Sequence, residues 1–286
     1  MHYRPERRSS RGVRIVASLA VALVMGACGL PVGPFHARAS DTWTRSYPIS
    51  KTGEVSVANV NGRVDVEGVD GSTLEITAEK VARGATDQLA GDLLKRVSIV
   101  DHATPDSVSV ETQKIEGILI GASFEVRYHV KAPRTTSVRA VTVNGGVEAK
   151  AMEGRLIART TNGGIVGTAL AGGVEARVVN GGIRVRLASL GKGDIVLTTV
   201  NGGVRLALPE TAKATVSADW VNGRITMSGL KFEVRDESRR HFEGLLNGGG
   251  TPIRLNTVNG GVSITTGAED VKQEQTDGSR PEKLAE

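Results

Sequence analysis

An all-β fold, a single-stranded β-solenoid with roughly two short strands in each 18–21-residue coil, is what this sequence predicts, on three observations. An Asn-Gly pair recurs at Asn61, Asn144, Asn162, Asn180, Asn201, Asn222 and Asn259, each flanked by Val, Ile or Thr as in VNGGV or TNGGI. From Asn144 the steps are 18, 18, 21 and 21 residues and then 37, and repeats near 20 residues mark stacked coils. Between turns apolar and polar residues alternate, as Val174, Ala176 and Val178 do with Glu175 and Arg177, which gives strands with one buried face. Aromatics make up only 3% of the chain against 36 glycines, and the inward positions are mostly Val, Ala, Ile and Gly, which suit a thin interior.

Asn-Gly between alternating segments is also the strongest short hairpin signal, so an antiparallel meander competes with the coil. A meander needs a cover for its apolar face, and residues 134–229 hold no helical stretch to supply one, whereas a coil of two strands per turn covers itself. A second turn lies nine residues after two of the asparagines, at Glu153-Gly154 and Ala171-Gly172, and completes the unit. Stacked coils would place Asn144, Asn162, Asn180, Asn201, Asn222 and Asn259 in a structural ladder of amides, since Asn tolerates turn conformations and its amide bonds to its neighbours above and below.

Residues 1–27 read as a signal peptide: Arg4, Arg7, Arg8, Arg11 and Arg14 precede an uncharged run from Ile15 to Phe35. Val24-Met25-Gly26-Ala27-Cys28 resembles a bacterial lipobox, which makes Cys28 the lipidation candidate; Ala37-Arg38-Ala39 offers ordinary cleavage before Ser40 instead, and an uncleaved membrane helix is a third reading. The leader also carries most of the formal net charge of +5, so the basicity of the chain is not a sign of nucleic-acid binding. Residues 28–40 read as a Pro/Gly tether.

Residues 41–133 read as an N-terminal capping section of the same body, because Asn61 already carries the repeat. Strands are expected at 42–49, 54–60, 63–69, 74–81, 107–112 and 123–131, and one short amphipathic helix at 85–97, where Leu89, Leu93 and Val97 fall four apart. Residues 134–266 form the regular repeats, interrupted at 230–250 by a charged excursion expected to be a solvated hairpin. Residues 267–286, with six acids, three bases and no aromatic, read as a disordered tail.

The chemistry of enzymes and metals is missing from the pattern. Five scattered histidines, one Cys and no nucleophile-elbow or phosphate-loop motif give no catalytic, metal or cofactor residues. Gly191-Lys192-Gly193-Asp194 is similar to a calcium-binding turn, but it occurs once and reads as a plain turn. Arg155, Arg159, Arg177, Arg184, Arg186 and Arg205 occupy outward positions and form the candidate face for an anionic ligand such as a glycan or lipopolysaccharide.

Trp43–Ile49 (WTRSYPI), Val55–Gly68 (VSVANVNGRVDVEG), Tyr128–Pro133 (YHVKAP) and the repeated VNGG segments together resemble the bacterial putative-adhesin family, a "toast-rack" β-solenoid domain of unknown function, over roughly residues 41–266. The resemblance implies the fold and, through the family name, surface adhesion; it supplies no catalytic residues. The expectation is a non-enzymatic adhesion, interaction or scaffold module of the cell envelope. It would be membrane-held through a lipid at Cys28, on the periplasmic side or the outer membrane surface, or else soluble after cleavage at Ala39. An envelope glycan or protein is the expected partner, and nucleic acid is not. A carbohydrate-active enzyme on a β-helix and an envelope-stress sensor are the alternatives.

Overall fold

The computed structural model describes residues 37–113, 115 and 121–267. The leader with Cys28, most of the tether and the tail beyond Gly267 lie outside the described residues.

Strands β1 (Ala37–Pro48), β2 (Glu54–Ala58), β3 (Val64–Val69) and β4 (Thr73–Gly84) precede α1 (Asp87–Arg96), the one helix among the described residues. Strands β5 (Ile99–Ala103), β6 (Ser107–Thr112) and β7 (Ala122–Pro133) complete the N-terminal section. The helix begins at Thr86, whose hydroxyl accepts from the Leu89 amide, and it buries Ala90 and Leu93. Two features depart from expectation. Strand β1 starts at Ala37, inside the expected tether, because Ala37–Ser40 pair with Val81–Gly84 of a β4 that also runs longer than its apolar pattern. Strand β5 was not expected, since Asp101 and His102 obscure its alternation; Asp101 instead accepts a 2.8 Å hydrogen bond from the Tyr47 hydroxyl.

The repeats then alternate between two sheets: β8 (Ser137–Asn144) with β9 (Val147–Lys150), β10 (Leu156–Asn162) with β11 (Ile165–Leu170), and β12 (Val174–Asn180) with β13 (Ile183–Leu187). There follow β14 (Ile195–Asn201) with β15 (Val204–Leu208), and β16 (Ala214–Asn222) with β17 (Ile225–Ser228). After the hairpin β18 (Phe232–Glu237) and β19 (His241–Leu246), the last coil is β20 (Thr251–Asn259) with β21 (Val262–Thr266). One sheet has the order β1-β4-β7-β3-β9-β11-β13-β15-β21-β17, and the other β18-β19-β16-β20-β14-β12-β10-β8-β2-β6-β5. Pairing between successive coils is parallel and in register, as with Leu156↔Val174↔Ile195. The Asn-Gly turns are therefore corners leading from one sheet to the other, and the meander is excluded. Antiparallel pairing is confined to the two ends, β1-β4-β7 with β5-β6 at one and β16-β19-β18 at the other.

Stacking order departs from chain order at both ends. Strand β2 lies between β6 and β8 and β3 between β7 and β9, so the coil of Asn61 sits inside the later coil of β6 and β7. The C-terminal end shows the same. Strand β20 pairs with β14 on one side and β16 on the other, and β21 lies between β15 and β17. The coil of Asn259 is thus threaded between those of Asn201 and Asn222. The 37-residue step makes this possible: it holds the β18–β19 hairpin, which turns back against β16. That hairpin is not simply solvated, because Phe242 and Leu246 are buried and Phe242 meets Phe232 edge to face at 5.6 Å.

The core between the sheets is built from stacked rows of small apolar residues, such as Val138, Leu156, Val174, Ile195 and Ile253. Only Tyr128 and Phe242 place rings among the largest fully buried side chains.

Candidate functional site

Each corner repeats the same local chemistry. An inward residue, Thr at four corners and Asn59, Val178 or Trp220 at the others, is followed by an outward Val or Thr, then Asn, then two residues that open the next strand. The first Gly of the pair is obligatory: Gly163 and Gly181 lie at φ near +149° and +143°, and a Cβ there would collide with the carbonyl oxygen of the Gly one coil away. The inward Thr completes the corner. The hydroxyls of Thr142, Thr160, Thr199 and Thr257 donate to the carbonyls of Gly62, Gly145, Gly181 and Gly202, at 2.7–3.0 Å. These are groups that the turn would otherwise bury without a partner.

The asparagine side chains stack in one continuous chain. Asn144 donates to Asn61, Asn162 to Asn144, Asn180 to Asn162 and Asn201 to Asn180, all at 2.8–2.9 Å. Asn259 then donates to Asn201 and Asn222 to Asn259, both at 2.8 Å, which follows the threaded order. Beside this ladder runs an exposed apolar ridge of Val143, Val179, Val200, Val258 and Val221.

A different Asn carries the buried polar network, and the repeat pattern gave no sign of it. Asn59 is 5% exposed; it donates to the carbonyls of Val126 and Gly62 and accepts from the Val60 amide and the Thr112 hydroxyl. Thr112 also meets the Tyr128 hydroxyl at 2.7 Å, and burial pushes that phenol up to about 12. The network joins both sheets under the N-terminal cap. Its only sequence signal is an Asn at an inward strand position, two residues before the repeat Asn.

The six arginines occupy two sheets, not one face. Arg159 and Arg177, on β10 and β12, and Arg155, just before β10, converge on Glu175 at 2.6, 3.3 and 3.4 Å. The bond from Arg159 holds the Glu175 carboxyl below its usual range. Arg184 and Arg186 on β13 and Arg205 on β15 belong to the other sheet. There Arg184 and Arg205 are register partners on adjacent strands. A cavity of about 410 Å³ opens at this pair, lined by Ile165, Val166, Gly182, Ile183 and Gly203 besides the two arginines.

A set of seven titratable groups lies nearer the N-terminal end on that same sheet, where Asp65, Glu67 and Glu148 share a cavity of about 390 Å³ with Arg63, His129, Lys131 and Lys150. The groups form a lattice of opposite charges along one sheet face. Arg63 binds both Asp65 and Glu148, His129 lies 3.5 Å from Asp65, and Glu67 stands in register between Lys131 and Lys150. Among the described residues no group of three His, Cys, Asp or Glu could hold a metal ion, and no helix is long and apolar enough to cross a membrane.

Comparison with solved structures finds likeness at low identity. A putative cell adhesion protein from Clostridium sporogenes shares 11% identity at a TM-score of 0.45, covering 80% of this chain and 100% of its own. A putative adhesin from Bacteroides fragilis shares 9% at 0.34, covering 79% and 97%. A putative lipid binding protein from Parabacteroides distasonis shares 9% at 0.24, covering 79% and 96%. A search of the curated proteins finds no match. The family model described as Toastrack DUF4097 matches residues 49–265, from the end of β1 to the last strand, and the chain belongs to that family.

Proposed function

We propose that this chain is an exported, non-enzymatic module of the cell envelope, held to a membrane by a lipid on Cys28, whose solenoid body serves adhesion or scaffolding. The observation that carries this reading is how the outward carboxylates are used. In the charge-rich areas of both sheets they pair with cations on their own face, as Glu175 does with three arginines and as Asp65 and Glu148 do with Arg63. Such a face is a recognition surface and lacks the opposed acid and base that glycoside cleavage requires.

The start of β1 at Ala37 supports the anchor reading over cleavage before Ser40. That cut would remove Ala37–Ala39 from their pairing with Ala82–Gly84, whereas cleavage before Cys28 leaves the strand whole and a short tether ahead of it. The names of the structural neighbours, two adhesion proteins and one lipid-binding protein, agree with an envelope role.

Mass analysis of the mature N-terminus together with fractionation of Cys28→Ala tests the anchor. The mature chain should begin at a lipid-modified Cys28, and the variant should leave the membrane fraction; an unmodified chain beginning at Ser40 overturns it. Incubation with a panel of envelope polysaccharides should release no product, and a product absent from boiled controls would overturn the non-enzymatic assignment.

A further inference from the structure

Each sheet ends in two edge strands, and three of these four edges are protected among the described residues. Strand β17 has 4 residues and β5 has 5. Strand β18 is broken in register between Val234 and Asp236 and carries Glu233, Arg235, Asp236 and Glu237. Short, bulged or charged edges resist pairing with another strand. Strand β1 is different: it runs 12 residues against β4 without a register break, and no described strand pairs with its outer side.

The phase of the hydrogen bonds along β1 is fixed at its end. Ile49 continues the β1–β4 register, and its amide donates to the Ser72 carbonyl at 3.1 Å. In an antiparallel pair every second residue is bonded to the neighbour, so the odd residues of β1 face β4. The even ones, Ser40, Thr42, Thr44 and Ser46, present their N–H and C=O groups to the open edge. Two local contacts agree. The Thr42 amide donates to Asp41 Oδ1 at 2.9 Å, and the Thr44 carbonyl accepts from the Arg45 guanidinium at 3.0 Å, which caps two groups that no strand satisfies. Pro48, which has no N–H, also falls on the open side, where a sheet tolerates it.

The odd positions are self-complementary in charge. Asp41 and Arg45 lie symmetrically about Trp43, at the same phase as the buried Ala37 and Tyr47, and both remain exposed. A second copy laid antiparallel, with Trp43 opposite Trp43, sets Asp41 opposite Arg45 twice, at non-hydrogen-bonded positions where side chains come closest. Asp41 keeps Lys80 on its Oδ2 at 2.6 Å, and pairing frees its Oδ1 from the Thr42 amide for the incoming guanidinium. In that register Thr42 faces Thr44 and Ser40 faces Ser46 as hydrogen-bonded pairs, so the free edge groups find partners. A slip of two residues loses both ion pairs, and a slip of four sets Asp41 against Asp41 or Arg45 against Arg45. The charges that deter an arbitrary strand therefore admit a second copy of this one.

We propose that two copies of this chain pair antiparallel through β1 about a two-fold axis at Trp43, so that the ten-stranded sheet of one molecule continues into the other. The local caps on Thr42 and Thr44 are exchanged for strand hydrogen bonds and two intermolecular ion pairs. The inference goes beyond the envelope module proposed above and does not need it, since dimerisation is read on purified protein whether or not Cys28 carries a lipid.

Ser40 and Ser46, both exposed and small, supply the direct test. In the full chain carrying Cys28→Ala, in detergent, Ser40→Cys mixed with Ser46→Cys should form a disulfide-linked dimer under mild oxidation, because the paired Cα atoms stand about 5.5 Å apart. Either variant alone should stay unlinked, since its own copy lies about 20 Å away along the strands. In sedimentation, Arg45→Asp should weaken dimerisation at least about tenfold, and mixing it with Asp41→Arg should restore a dimer in which every opposed pair again differs in sign. The proposal is overturned by a parent chain that sediments as a monomer, by serine variants that link as readily alone as mixed or do not link when mixed, or by an Arg45→Asp dimer as tight as the parent. A folded Asp41→Arg that fails to restore the dimer overturns it as well. Asp41→Arg also faces Lys80; if it does not fold, the serine variants and Arg45→Asp decide alone.

Discussion

At the scale of single residues, Asn180 and Asn59 are both hydrogen-bonded through their side-chain amides and should matter very differently. Asn180 is exposed and bridges Asn162 and Asn201, so water replaces much of what its removal takes away. Asn180→Ala should cost about 1 kcal/mol in denaturant unfolding. Asn59→Ala removes a donor to the buried carbonyl of Val126 and the acceptor of the Thr112 hydroxyl inside the fold, and should cost about 2–3 kcal/mol. The order of the two is the test: an Asn180→Ala more damaging than Asn59→Ala contradicts this account of the corners. The sequence shows the exposed row plainly because it repeats. It hides the buried residue because Asn59 occurs once, and only the fold brings it against Thr112 and Tyr128.

At the scale of elements, one coil and one hairpin make separate predictions. In the coil of Asn180 the Thr position holds Val178, so the hydroxyl-to-carbonyl bond made by Thr160 and Thr199 in the two neighbouring coils is absent there. Val178→Thr should raise stability by about 0.5–1 kcal/mol, and Thr160→Val should lower it by about 1 kcal/mol, both measured by urea midpoints. A Val178→Thr protein less stable than the parent would show that burying the hydroxyl outweighs the bond.

The β18–β19 hairpin carries a titrating clamp. His241 Nδ1 lies 2.7 Å from Asp219 of β16 and its Nε2 lies 3.9 Å from Asp236 of β18, and the hydrogen bond it donates to Asp219 raises its pKa above 6.5. A raised folded-state pKa gives stability that is fully present below 6.5 and is lost as pH rises through the folded value. His241→Gln should therefore lower the melting temperature at pH 5.5 and leave it nearly unchanged at pH 8.5. An equal loss at both values would mean that the ring acts through packing alone.

Elements differ in how far the sequence exposes them. The helix was legible through its Leu spacing and β6 through its alternation. Strand β5 was not, because its hydrogen bonds to β6 and the Tyr47–Asp101 contact outweigh a poor local pattern. The arginines show a second limit. Outward positions look alike along the chain, but consecutive strands belong to opposite sheets. Arg155, Arg159 and Arg177 are thus separated from Arg184, Arg186 and Arg205 by the thickness of the core.

At the scale of the whole molecule, stacking order decides what the surface presents. The threaded coil of Asn259 sets Gly261 beside Gly203 and leaves Arg224 at the outer end of the stack. The spacing of the repeats could not reveal this, since a 37-residue step accommodates either order. The ridge valines report it directly. In the threaded order Val200 and Val258 are register neighbours at about 4.8 Å, within disulfide reach, while Val200 and Val221 are two strands apart, at about 10 Å. With Cys28 replaced by Ala, the pair Val200→Cys/Val258→Cys should oxidise to an intramolecular disulfide and Val200→Cys/Val221→Cys should remain reduced. Disulfide formation in the second pair and not in the first would contradict the threaded solenoid.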